Sequence, residues 1–234
     1  MFLSRLKLKQ SPDIAALGTL LLPEEDGRRM DAQHRLIWSA FAGSPEARRD
    51  FLWRDMGGGV FLVLSPRPPG ESAFFEPPGV SDFAPDLRPG DRLAFALRAN
   101  ATHTVKTDRI TAKGKRERAH RDVVMEALKP VARADRAELR PALAQEAGTR
   151  WLEGQGARAG FRLIEAAARG YRVVEPPGRG ARRRFGVLDL EGVIEVTDPE
   201  AFLARFRWPV GAEATGGFGR AKAFGCGLML IRRA

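Results

Sequence analysis

The sequence predicts an α+β protein of two tandem units, each with an antiparallel sheet and helices on one face. Three observations predict it. Segments with two-residue alternation of apolar and polar side chains recur along the chain, at FLSRLKLK (2–9), DRLAFALRAN (91–100) and FGVLDLEGVIEVTD (185–198). Helix-like segments lie between them. The succession of strand, helix and strands is met twice, each time over roughly 100 residues, the size of a small domain.

Taken in order, residues 2–9 form a strand with one wet face. A loop with Pro23 and Gly27 follows. DAQHRLIWSAFA (31–42) reads as a helix with Asp31 as N-cap, Ile37, Ala40 and Phe41 on one face, and Gly43-Ser44-Pro45 as its stop. VFLVLS (60–65) is a strand, proline-rich 66–89 a loop with short strand pieces, and 91–100 a strand with Leu93, Phe95 and Leu97 on one side. Residues 101–122 lack an apolar stripe and carry Lys106, Arg109, Lys113, Lys115, Arg116, Arg118 and Arg121 against Asp108, Glu117 and Asp122, as a basic linker or loop. Residues 123–147 hold two proline-broken helical pieces, read as an insertion, and a helix continues to Gly154 or Gly156. FRLIEA and GYRVVEP (161–176) are strand-like, PGRGARRR (177–184) is a basic hairpin tip, and 185–198 gives two strand signals around Glu191-Gly192. Asp198 caps a helix with Pro199 in its first position. A glycine-rich loop and a strand at 228–231 close the chain. The units are 1–105 and 123–234, joined by basic 106–122, and this β-α-β-β-like repetition is the pattern of two ferredoxin-like domains.

The 234 residues are 44% hydrophobic, enough for packed cores, and no apolar run reaches the roughly 18 residues that span a bilayer. The start, MFLSRLKLKQ, lacks the apolar region of a signal peptide. Cys226 is the only cysteine, which excludes disulfide frameworks and cysteine-based zinc sites and points to a reducing, cytoplasmic location. Lys plus Arg number 39 against 29 Asp plus Glu, a net charge of +10. Arginine forks match phosphate geometry, so nucleic acid is favoured as partner over a membrane surface, for which no basic amphipathic helix is present. A codon bias toward arginine accounts for the composition but not for its clustering in 106–121 and 179–184.

Two features carry the chemistry. GGFGRAKAFGCGLMLI (216–231) spaces glycines around one lysine as G-x-G-x-x-K-x-x-G-x-G. A Walker A loop fails, because Lys222 follows Ala221, Ala223 replaces Ser or Thr, and a strand follows instead of a helix. A dinucleotide fingerprint fails because Lys222 takes the third glycine position. What remains is either backbone amides plus an ammonium beside a polyanion, or a tight crossover that needs glycine for packing. The second feature is His34. RNA brings its own nucleophile, the 2′-hydroxyl, so a nuclease needs only a base, an acid for the 5′-oxygen and a cation for the phosphate. With Asp31 as cap, His34 lies in the first helical turn, where the helix end lowers its pKa and Asp31 raises it. The alternative is a structural histidine at the edge of the apolar stripe. His103 and His120 fall in the basic stretch, and Glu24-Glu25-Asp26 reads as a solvated run. No metal-ligand spacing, paired-carboxylate pattern or nucleophile elbow is visible.

Four stretches resemble the CasE family of CRISPR RNA-processing endoribonucleases, members of the RAMP superfamily: MFLSRLKL; HRLIWSAF with ARRDFLWR (47–54); LAFALRANATHTVKT; and GFGRAKAFGCGLMLI. The resemblance runs end to end, more loosely over 123–147. It implies tandem ferredoxin-like (RAMP/RRM-like) domains. It also implies metal-independent, cofactor-free cleavage of the repeat hairpin of CRISPR precursor RNA, to a 2′,3′-cyclic phosphate and a 5′-hydroxyl. The enzyme is expected to stay bound to the hairpin as a subunit of the Cascade complex, and to meet target DNA only through the assembled complex. His34 aligns with the family's catalytic histidine. The expected RNA contacts are Arg98, Asn100, Lys106, Lys113, Lys115, Arg116, Arg182, Arg183, Arg184, Gly217, Gly219, Lys222 and Gly225. One departure stands out: where the family carries an assisting tyrosine, this chain has Asp31, and its only tyrosine is Tyr171. A non-cleaving RNA-binding subunit with the same fold is the alternative that this departure suggests.

Overall fold

The computed structural model describes residues 1–41, 43, 49–110, 114–177, 184–207 and 216–234. The chain begins with β1 (Phe2–Lys7), short helices α1 (Pro12–Ala16) and α2 (Gly18–Leu21), and helix α3 (Asp26–Ser39). A hairpin of β2 (Leu52–Gly57) and β3 (Val60–Ser65) follows, then β4 (Gly79–Asp82). These strands form an antiparallel sheet in the order β2-β3-β1-β4. This is the 4-1-3-2 arrangement of a ferredoxin-like unit, with α3 as its first crossover and an irregular proline-rich connection in place of the second helix.

The second unit starts with β5 (Arg92–Ala99) and continues through a two-stranded ribbon, β6 (Thr102–Ile110) and β7 (Arg116–Asp122). Helices α4 (Val123–Leu128) and α5 (Arg136–Ala159), strands β8 (Phe161–Val174) and β9 (Phe185–Val196), helix α6 (Pro199–Ala204), a 3-10 turn at Lys222–Phe224 and β10 (Met229–Arg233) complete it. Its antiparallel sheet runs β10-β5-β9-β8, again 4-1-3-2.

Alternation sets the faces. In β5, Leu93, Phe95, Leu97 and Ala99 are buried, while Ala94, Ala96 and Arg98 point to the other side. The first core lies between α3 and the first sheet, with Leu36, Ile37 and Phe41 against Leu6, Phe51, Trp53, Phe61 and Val63. The larger second core joins α5 and α6 to the second sheet and takes in Leu52 and Leu64 from the first. A third cluster of Met30, Val174, Val187 and Cys226 fixes α3 against β8, β9 and the glycine-rich loop. Helix α3 is therefore held from both units.

Several expectations need correction. The strand at 92–99, placed with the first unit, is hydrogen-bonded between β9 and β10, so the sheets divide between Asp82 and Arg92. The expected basic linker is the ribbon β6–β7. The presumed insertion is the crossover of the second unit, since α5 tolerates Pro141 and ends at left-handed Gly160. Segments 161–176 and 185–198 each form one long strand instead of two pieces. Helix α3 starts at Asp26, so Asp31 is not its cap. Strand β2 and helices α1 and α2 were not expected.

Candidate functional site

His34 is the ninth residue of α3, in mid-helix, so the helix end does not act on it. Its ring lies 6.4 Å from Trp38 and 6.2 Å from Phe51, centre to centre. Nε2 is buried and has no hydrogen-bond partner. Satisfied structural histidines do not leave a nitrogen so, and an orphaned buried polar atom calls for an explanation in function or strain. Burial pushes the pKa of His34 down to about 4; Arg49 and Arg35 add to the shift and Asp31 opposes it. The imidazole is neutral at pH 7, the form that accepts a proton.

The polar neighbours of His34 along the helix are engaged elsewhere. Asp31 pairs with Arg35 along the helix. The Ser39 hydroxyl donates to the Leu36 carbonyl (2.7 Å) and lies 2.7 Å from the Ser72 hydroxyl. Arg49, which sequence reasoning missed as a site residue, takes their place. It donates to the Phe51 carbonyl (2.6 Å), beside the ring that faces His34, and acts on both His34 and Lys222.

The glycine-rich loop approaches from the second unit. Its 3-10 turn packs against α3 and β2. Gly219 has φ 73°, and a Cβ there would lie 2.6 Å from the Asn100 carbonyl oxygen; Gly225, at φ 72°, packs on the Trp53 ring. Gly217 similarly abuts Leu52 and the Gly227 carbonyl. The glycines thus answer to the chain's own packing, the tight-crossover reading of the loop. Lys222 is half-buried, and burial, Arg205, Arg49 and Arg220 hold its pKa down to about 8.

A row of cations extends outward from here. Arg220 hydrogen-bonds through its amide to the Asn100 carbonyl (3.1 Å) and reaches the ribbon, where it reinforces the desolvation that lowers the pKa of His120. On the ribbon, Lys106, Arg109, Lys115, Arg116, Arg118 and Arg121 are all exposed. Its base is pinned by the Trp151 indole, which donates to the Thr102 carbonyl (3.2 Å).

The remaining candidates separate from this row. Asn100 is buried and donates to the Gly186 carbonyl (2.9 Å). Arg98 forks onto Asp189 (2.8 and 3.1 Å) on the second sheet. Arg184 is exposed and pairs with Glu175 (2.6 Å). Asp26 of the supposedly solvated run pairs with Arg172 (3.0 Å). Lys113, Arg182 and Arg183 lie outside the described residues. Among the described residues no group of three His, Cys, Asp or Glu could hold a metal ion, and no helix is long and apolar enough to cross a membrane.

Two ferredoxin-like units in tandem, with a cationic ribbon and a glycine-rich loop in the second and an orphaned histidine on α3 of the first, match the RAMP-like class of fold. The chain belongs to the CRISPR-associated protein family, which matches residues 1–233, and within it the chain is CasE-like. Among solved structures it is similar to the CRISPR-associated protein Cas6e from Escherichia coli K-12, at 20% identity over 100% of both chains and a TM-score of 0.61. It is similar to the CRISPR endoribonuclease Cse3 bound to a 19-nucleotide RNA, at 25% identity over 99% of this chain and 98% of that one and a TM-score of 0.62. It is likewise similar to Thermus thermophilus Cse3 bound to an RNA representing a pre-cleavage complex, at 25% identity over 99% and 98% and a TM-score of 0.61. No curated protein matches the chain.

Proposed function

We propose that this protein is a metal-independent endoribonuclease that binds and cleaves the repeat hairpin of CRISPR precursor RNA, and that it stays on the product as a Cascade subunit. The observation that carries the reading is the neutral His34 with Arg49 beside it, on the helix against which the glycine-rich loop packs. The basic ribbon and Arg220 bind the hairpin backbone by neutralising phosphates. Arg49 and Lys222 supply positive charge at the scissile phosphate. His34 takes the proton of the 2′-hydroxyl, whose oxygen attacks phosphorus, to leave a 2′,3′-cyclic phosphate and a 5′-hydroxyl. Similarity to Cse3 solved with RNA supports the substrate class, and similarity to a subunit of a CRISPR RNA-guided surveillance complex, at a TM-score of 0.55, supports a place in such an assembly.

Incubation with the cognate repeat hairpin tests it. Cleavage is expected to continue in EDTA and to stop when the scissile nucleotide is 2′-deoxy. His34→Ala is expected to bind with unchanged affinity and cut at least about 100-fold more slowly, the scale of a lost acid–base group. Intact RNA after long incubation with the unaltered protein instead supports the non-cleaving RNA-binding subunit, the reading that Asp31 at the tyrosine position favours.

A further inference from the structure

We propose that Tyr171, the only tyrosine of the chain, is a positioning residue for RNA binding: its phenol holds Asp122 at the base of the ribbon β6–β7 and so sets the direction in which the ribbon carries its cations. This role rests on the hairpin-binding part of the reading above and does not depend on how the RNA is cut.

The ribbon stands away from the body of the protein. No residue of either strand is buried, and Lys106, Arg109, Arg116, Arg118 and Arg121 are exposed. Outside its own two strands it packs chiefly on α4, which continues directly from β7. A lone two-stranded hairpin is marginal in water at best, so its direction is decided where it joins the body. At about 3.3 Å per residue the strand from Thr102 to Ile110 reaches roughly 25 Å, and a tilt of about 10° at the base moves its far end by about 4 Å. A cation that must come within about 3 Å of a phosphate oxygen does not tolerate such a displacement.

That base is gripped on both strands. Thr102 and Asp122 are register partners. The Thr102 carbonyl accepts from the Trp151 indole of α5 (3.2 Å). Oδ1 of Asp122 accepts from the Tyr171 hydroxyl of β8 (3.0 Å) and from the amides of Val124 and Met125 (3.0 Å each), so the same carboxylate caps α4. The two cap bonds span only two and three residues and turn with β7 if it tilts. The phenol comes from 49 residues away and is the bond that ties this carboxylate to β8 of the second sheet. Gly186 of β9 makes the room: a Cβ there would lie 2.1 Å from Oδ2 of Asp122 and 2.6 Å from the Tyr171 hydroxyl oxygen. Asn100, two residues before β6, donates to the carbonyl of the same glycine (2.9 Å). The start of the ribbon, its end and the second sheet thus meet within one small cluster, and Tyr171 closes it.

Binding of the repeat hairpin, made uncleavable by a 2′-deoxy scissile nucleotide, tests the role over a series of salt concentrations. Tyr171→Phe removes only the hydroxyl. It is expected to weaken binding about 10-fold and to lower the slope of log affinity against log salt by about one unit, as when a phosphate contact is lost. A fold that is merely less stable lowers the folded fraction and leaves that slope alone. Lys106→Ala with Arg118→Ala, register partners on the ribbon, is expected to cost less affinity in Tyr171→Phe than in the unaltered protein, because a misdirected ribbon no longer delivers those cations. Asp122→Asn keeps an oxygen acceptor for the phenol and the two amides, and is expected to stay within a few-fold of the unaltered protein. An unchanged slope with additive losses overturns the role and leaves the phenol a stabilising contact only. A loss in Asp122→Asn as large as that in Tyr171→Phe also overturns it, since the charge of Asp122 then matters and not the grip on it. If Lys106→Ala with Arg118→Ala binds as tightly as the unaltered protein, the ribbon does not hold the hairpin, and the role falls together with that part of the reading. Normal binding by the unaltered protein without cleavage of the all-ribose hairpin overturns the nuclease reading alone.

Discussion

His34 shows how the environment of a candidate side chain can differ from what its place in the sequence suggests. The reading that set it in a first turn relied on Asp31 as a cap, whereas α3 begins at Asp26, ahead of Gly27 and two arginines. What lowers its pKa is burial against Phe51 and Trp38 and the charge of Arg49, a residue from a different segment. The shift has a consequence for stability. The folded pKa of about 4 lies below the unfolded value of 6.5, so the unfolded chain binds more protons between these values and stability falls as pH drops through that window. In thermal melts from pH 7 to 4, His34→Gln, which cannot be charged, is expected to show a shallower decline in Tm than the unaltered protein. Parallel curves would mean that burial of His34 does not govern its protonation.

The glycine-rich loop answers to one of the two readings that its spacing left open, the tight crossover: glycine is required there by close packing. Gly219→Ala puts a Cβ at 2.6 Å from the Asn100 carbonyl oxygen on a residue with φ 73°. Backbone strain of this kind costs about 1–3 kcal/mol. Urea unfolding is expected to show a loss of that size, and hairpin cleavage to fall more than hairpin binding, because the ribbon is untouched while Lys222 shifts. Other elements were legible where one periodicity ruled. Strands β1 and β5 alternate and β3 is a continuous apolar run, and all three were found at nearly their true bounds. The ribbon escaped notice because both its faces are polar, so nothing in its pattern separates a strand from a solvated loop. Helix α5 was cut short in the reading by Pro141, which the structure accommodates near the start of a 24-residue helix. Strand β2 was hidden because Arg54 to Gly57 do not alternate and are half-exposed or exposed, with Met56 turned to solvent.

The tandem fold was legible as a repeated order of elements, but the seam between the units was not, because it depends on pairs far apart in sequence. At that seam Asp189 of β9 receives Arg98 from β5 (2.8 Å), Arg172 from β8 (3.3 Å) and Arg54 from β2 of the first sheet (3.9 Å), and Arg172 also holds Asp26 at the start of α3 (3.0 Å). Burial alone pushes the Asp189 carboxyl up, but the Arg98 hydrogen bonds and the charges of Arg98, Arg172 and Arg54 outweigh it and hold the carboxyl below its usual range. One carboxylate thus offsets three guanidinium groups, of which Arg54 keeps a buried nitrogen without a partner. Removing one member of a buried pair leaves uncompensated charge, at a cost of about 3–5 kcal/mol, whereas removing both members costs much less. Asp189→Asn is therefore expected to lower the unfolding free energy by several kcal/mol, and Asp189→Asn with Arg98→Met to recover part of that loss. Because α3 is tied to the second sheet through Arg172, the single variant is also expected to slow cleavage more than it weakens hairpin binding. A double-mutant cycle in urea, with cleavage rates measured on the same proteins, checks both expectations. If the two substitutions prove additive, Asp189 does not act as the shared counter-ion, and the seam is held by apolar packing around Met30, Val187 and Cys226 instead.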